Sequence, residues 1–140
     1  MNTVIFACIH NAGRSQMARA FCAAYADPSK VVASSAGTAP GPRVHPEVVV
    51  AMREVGIDVA NAVPMLLDAP MAAAATWLVT MGCGEACPHV PGPRREDWPL
   101  PDPKGASLDA VREIRDDVRR RVIAFLAREG WLRSDVASSP

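Results

Sequence analysis

A chain of 140 residues, 49% of them apolar, is long enough to bury one core and needs no second domain. Lys+Arg and Asp+Glu both number 15, so the net charge is zero and nothing points to nucleic acid or an anionic membrane as a partner. No apolar run nears a membrane span and no signal-like segment opens the chain. A cytoplasmic location is expected, where four cysteines are catalytic or metal-binding sooner than structural staples.

Residues 4–7, Val-Ile-Phe-Ala, are short, apolar and partly β-branched, the composition of a fully buried strand, and Cys8 stands where that strand ends. From Ser15 the period changes, with Met17, Phe21 and Tyr25 recurring every four residues as on a helix. Asp27-Pro28-Ser29 breaks that helix, and residues 30–35 read as a second strand, parallel to the first because a helix joins them. Residues 37–42 are a turn-rich loop. His45-Pro46-Glu47 opens a second helix, which carries Val48, Met52 and Val55 on one face and stops at Gly56.

Residues 60–75 give a short strand or loop around 62–66 and a small alanine-rich helix around 68–75. Residues 76–81 are again a buried strand, which delivers Gly82-Cys83 to its end. Residues 90–104 are rich in proline and read as an extended loop with no regular element. Leu108, Val111, Ile114, Val118, Val122 and Phe125 form a long amphipathic helix, and residues 134–140 a frayed tail after a single catalytic domain over 1–133. The alternation predicts an α/β fold, with a central parallel sheet of about four strands and helices on both faces.

Strand, loop and helix over residues 4–25 form an arrangement with a chemical use. Backbone N–H groups at a helix N-terminus converge on one point and, with the helix dipole, favour a negative charge there. A tetrahedral oxyanion fits such a loop, here Ile9, His10, Asn11, Ala12 and Gly13 leading into Arg14 and Ser15. The same field favours a thiolate, which makes Cys8 a nucleophile at neutral pH. Arg14 offers a planar fork of donors, Asn11 and Gly13 tolerate left-handed backbone, and the Ser15 hydroxyl is a donor for the sulfur.

Cys83-Gly84-Glu85-Ala86-Cys87-Pro88-His89 is the other unusual stretch. A Cys83–Cys87 disulfide is feasible within one helical turn, where residues four apart lie about 6 Å from each other. Zinc would need a fourth ligand besides Cys83, Cys87 and His89, and the spacing is not one of the usual structural pairs. Gly84, Glu85 and Pro88 suggest an exposed, bendable segment, against a pair of inert buried thiols. No metal and no cofactor is assigned to the chain.

The run Cys8-Ile9-His10-Asn11-Ala12-Gly13-Arg14-Ser15-Gln16-Met17-Ala18 resembles the phosphate-binding loop of the low-molecular-weight tyrosine phosphatase fold, in the version found in thioredoxin-coupled arsenate reductases. The resemblance extends to Ser35-Ala36-Gly37-Thr38, Gly56-Ile57-Asp58, the Cys83/Cys87 segment and Asp102-Pro103. It implies an enzyme that reduces arsenate to arsenite in a three-cysteine relay. Cys8 attacks arsenate, Cys83 attacks Cys8 and releases arsenite, Cys87 attacks Cys83, and thioredoxin reduces the resulting disulfide. Gly82 and Gly84 are then candidate hinges. Asp102 is implied as the general acid, with Asp97 its competitor and Trp98 a wall of the site. Cys22 matches no relay position and reads as a core thiol; no role is assigned to His10, His45 or His89.

Two alternatives stay open. A low-molecular-weight protein tyrosine phosphatase would use the same Cys8, Arg14 and Asp102, but such enzymes wall the substrate with tyrosines, and the one tyrosine here is Tyr25. A small thiol such as mycothiol would replace thioredoxin as the reductant.

Overall fold

Strand β1 (Asn2–Cys8) alternates its side chains between two apolar clusters: Val4, Phe6 and Cys8 enter one, Ile5 and Ala7 the other. That is the pattern of a strand covered on both faces. Helix α1 (Arg14–Tyr25), strand β2 (Val31–Gly37), helices α2 (Pro46–Arg53) and α3 (Ala69–Ala73), strands β3 (Trp77–Thr80) and β4 (Arg94–Asp97), and helix α4 (Leu108–Glu129) follow in order. This computed structural model describes residues 1–82, 87 and 89–136.

The four strands are parallel and lie in the order β2-β1-β3-β4. The first cluster collects Met17 and Phe21 of α1, Val48 and Met52 of α2, and Val111, Val118, Val122 and Phe125 of α4; Ala72 of α3 joins the second. Helices therefore cover both faces, as the alternating pattern predicted. Phe125 sets its ring edge-on to Trp77, Trp98 and Trp131, so one aromatic knot ties α4 to the sheet and to the chain after it. Ser107 caps α4, accepting from the Ala110 N–H at 3.2 Å, and Gly130, at φ 76°, ends it.

Two expectations need correction. The proline-rich stretch holds β4, because its prolines flank residues 94–97 without entering them and an edge strand bonds on one side only. Its residues Arg94, Arg95, Glu96 and Asp97 are charged, which keeps that edge from pairing with another chain. Residues 62–66 take the loop of the two expected forms, with Leu66 in an isolated bridge to Gly37. Trp98 is a core residue, 4% exposed and packed on Phe6, so it walls no site. The chain beyond Arg133 continues through a turn tied by the Arg133–Asp135 ion pair at 2.7 Å. Residues 137–140 of the expected tail lie outside the described residues.

Candidate active site

Parallel pairing brings the carboxyl ends of all strands to one edge, where Cys8 sits beside Gly37 and Thr80 beside Asp97. The chain leaves β1 for β2 on one side and reaches β3 and β4 on the other, so the order reverses at β1, the place where open α/β sheets bind ligands. Residues 9–13 fill that place.

The loop is held from outside by its carbonyls. Those of Cys8, Ile9, His10 and Ala12 accept from the N–H groups of Thr38, Ala39, Gly41 and His45, at 2.8–3.2 Å. The Asn11 carbonyl accepts from Gln16 Nε2 at 3.1 Å. Every peptide bond among the described residues is trans. In a trans unit the N–H points opposite to the C=O, so a belt of outward carbonyls turns the N–H groups of residues 9–13 the other way. Asn11 makes this turn at φ 49°, the one non-glycine with positive φ among the described residues. Helix α1 adds its first turn, with Gly13 at the N-cap, no side-chain cap and no acidic residue. Those orphan donors have no side-chain partner of their own.

Cys8 Sγ lies 2.9 Å from Ser15 Oγ, and both side chains are buried. A thiolate can only accept, and Asn11 leaves the Ser15 proton free for it. Asn11 Oδ1 accepts from the Met65 N–H at 2.9 Å, which leaves Nδ2 to donate to Ser15 Oγ at 2.7 Å. Ser15 accepts there, and its own proton is free to point at the sulfur. The Asn11 side chain, Met65 and Gln16 are the parts that sequence reasoning missed; the Gln16 that follows the loop was the only available signal.

Arg14 is 4% exposed. Its Nη1 donates to the Leu100 carbonyl at 3.0 Å, Nη2 lies 3.8 Å from Asp102 Oδ2, and Nε is buried with no hydrogen-bond partner among the described residues. A buried guanidinium N–H without an acceptor is a donor fitted to an anion. Asp102 is anchored by the Lys104 N–H, 2.9 Å from Oδ1, and its side chain is 40% exposed. Pro103 closes on the loop: a Cβ at Gly13 would lie 2.5 Å from Pro103 Cγ. Asp97 turns elsewhere and accepts from Thr80 Oγ1 at 2.7 Å.

Cys8 and Cys22 carry free thiols, whereas Cys87 is disulfide-bonded. Cys87 is buried in the second apolar cluster together with Ala7, and Ile9 packs against that cluster, so the residues on either side of Cys8 adjoin it. Cys83 and Gly84 lie outside the described residues. Cys22 is wholly buried in the first cluster, and burial pushes its thiol up to about 12. His10, His45, Arg43 and Lys104 line a cavity of about 240 Å³ beside the loop. His10 Nδ1 meets the Ala39 carbonyl at 3.2 Å, and so carries the proton. Burial holds the His45 imidazole below its ordinary range, against the opposing charge of Asp102. No group of His, Cys, Asp and Glu suited to a metal ion occurs among the described residues.

A model of the family described as low molecular weight phosphotyrosine protein phosphatase matches residues 3–136. Among curated proteins, the chain is 36% identical over 122 residues to a "Putative arsenate reductase" of Halobacterium salinarum, covering 84% of this chain and 86% of that one. It is 35% identical over 131 residues to a "Glutaredoxin arsenate reductase" of Synechocystis, covering 91% and 98%. Among solved structures, a thioredoxin-dependent arsenate reductase of Corynebacterium glutamicum superposes with a TM-score of 0.78 at 35% identity. That match covers 91% of this chain and 61% of the other.

Proposed function

Because the chain belongs to the low molecular weight phosphotyrosine protein phosphatase family and is similar over most of its length to proteins named arsenate reductases, we propose that it is an arsenate reductase whose cysteines act in relay and are recycled by thioredoxin. The observation that carries the reading is the division of the cysteines, Cys8 a free thiol under the Ser15 hydroxyl and Cys87 in a disulfide. A phosphatase needs the first and has no use for the second.

The loop amides and the Arg14 guanidinium bind arsenate, and the Cys8 thiolate attacks the arsenic. An As–S bond forms, and an As–O bond breaks with a proton from Asp102, so water leaves in place of hydroxide. The Cys83 thiolate then attacks Cys8 Sγ. The electron pair of the As–S bond goes to arsenic, which departs as arsenite, and a Cys8–Cys83 disulfide remains. Cys87 attacks Cys83 and frees Cys8. The dithiol of thioredoxin supplies two electrons to the Cys83–Cys87 disulfide and closes the cycle. Cys87 is 1% exposed, so attack by thioredoxin at its sulfur requires Cys87 to become accessible first.

The name of the Synechocystis relative favours a second reading for the final step alone, a glutathione-type thiol delivered by glutaredoxin. One assay separates the readings: arsenate-dependent NADPH oxidation with thioredoxin and its reductase, the same with glutathione and glutaredoxin, and p-nitrophenyl phosphate hydrolysis alongside. Turnover in the first arm is expected. Hydrolysis of the phosphate ester without arsenate reduction in either redox arm would overturn the proposal.

A further inference from the structure

The hydrogen bonds around Cys8 do not end at Asn11. Gln16 is 1% exposed; its Nε2 lies 3.1 Å from the Asn11 carbonyl and 3.2 Å from Asn11 Oδ1. Its Oε1 accepts from Arg19 Nε at 3.4 Å, one helical turn further along α1. A guanidinium has donors only, so the amide oxygen must be the atom that faces it. The amide nitrogen of Gln16 then faces Asn11, and Asn11 Oδ1 receives two N–H groups, from Gln16 and from Met65. With its oxygen filled, Asn11 can only donate from Nδ2 to Ser15.

With Cys8 as the thiolate, each bond in the series Arg19, Gln16, Asn11, Ser15, Cys8 runs from donor to acceptor in the same direction. The series begins at a fixed positive charge and ends at the Ser15 proton pointing at the thiolate. Bonds aligned in this way polarise one another and favour negative charge at the accepting end. Among the described residues no carboxylate pairs with Arg19, so its charge is not spent on an ion pair there.

We propose that Gln16 and Arg19 are positioning residues for the nucleophile: they fix the Asn11 amide, and through it aim the Ser15 hydroxyl at Cys8. Neither touches substrate. The proposal rests on the reading of Cys8 as the nucleophile, and it holds whatever oxyanion Cys8 attacks. Gln16 as a merely satisfied buried amide would affect stability alone.

The test is alkylation of Cys8 by iodoacetamide in the fully reduced protein, followed by mass mapping of the Cys8 peptide across pH 5.5 to 9.5. Gln16→Met keeps length and adds no charge but removes both donors. Its alkylation profile is expected to move to higher pH, with the rate about fivefold lower at pH 7, the scale of one neutral hydrogen bond, and equal to wild type at the alkaline end. Arg19→Met should move it the same way by about twofold, and Arg19→Lys should restore it. In a Ser15→Ala background both substitutions should lose their effect, since they act through Ser15; a simple loss of nearby charge would persist there.

A wild-type profile in both Gln16→Met and Arg19→Met, or additive effects with Ser15→Ala, overturns the proposal. Should Gln16→Met fail to fold, Arg19→Met, at a half-buried position, decides alone. Failure of the wild-type protein to reduce arsenate would sink the proposed function and leave this readout intact.

Discussion

Gly82 lies against the guanidinium of Arg14 so closely that a Cβ at position 82 would fall on Nη1, and it does so at φ 93°. The end of β3 thus sets where the anion-facing arginine sits. Gly82→Ala would meet the left-handed backbone cost of about 1–2 kcal/mol and push Arg14 aside. We expect phosphate or arsenate affinity, measured calorimetrically, to fall by roughly tenfold or more, the size of a lost charge-assisted hydrogen bond. Unchanged affinity would mean that Arg14 is not positioned by Gly82.

That contact also marks where the sequence stops being readable. Short apolar runs at residues 4–7 and 76–81 and the helix period after Ser15 announced the sheet, because burial on both faces leaves continuous apolar runs. Strand β4 escaped because an exposed edge strand has no apolar pattern to show. In the site, Cys8, Arg14 and Ser15 stood out as residue types at a telling spacing, and Asp102 only through the family resemblance. Gly82 read as a hinge, Leu100 as a loop residue, and neither carries a side chain whose chemistry reveals what its backbone does to Arg14. Contacts made by main-chain atoms across 68 or 86 residues of sequence leave no local pattern; the second separation is that of the Arg14–Leu100 bond.

Asp102 stands 3.8 Å from Arg14, whereas Asp97 is engaged by Thr80. Asp102→Asn is expected to slow single-turnover arsenite release by roughly a hundredfold, the ordinary contribution of a placed general acid. Asp97→Asn should be mild. The reverse ranking would assign the acid to Asp97.

Replacing Cys8 by Ser keeps a group that hydrogen-bonds Ser15 but cannot form a disulfide. No arsenite should form, and oxyanion binding should survive through the loop amides and Arg14. Turnover near the wild-type rate would remove Cys8 as nucleophile.

His45 binds its proton less readily in the fold than in the unfolded chain, chiefly through burial. Below an ordinary imidazole value of about 6.5 the unfolded chain therefore holds more protons. The stability present at neutral pH is lost as pH falls through the folded value. His45→Gln should flatten the fall in urea midpoint between pH 7 and pH 5 relative to wild type. An unchanged slope would show that His45 titrates alike in both states.

Cys87 tests the relay most sharply. With Cys8 and Cys83 alone, one arsenite can leave per enzyme, after which the two sulfurs are locked together beside the loop. Cys87→Ser should release close to one equivalent and stall, with a Cys8–Cys83 disulfide recovered by mass mapping of the unreduced protein. Cys83→Ser should release almost none until a small thiol is added, since no internal thiolate then attacks the arsenylated Cys8. Cys87 belongs to the second apolar cluster, and the Ser15–Cys8 and Asn11–Ser15 bonds do not pass through it. Wild-type turnover of Cys87→Ser with thioredoxin would show that the donor reaches Cys8 or Cys83 directly, and the three-cysteine order would fall.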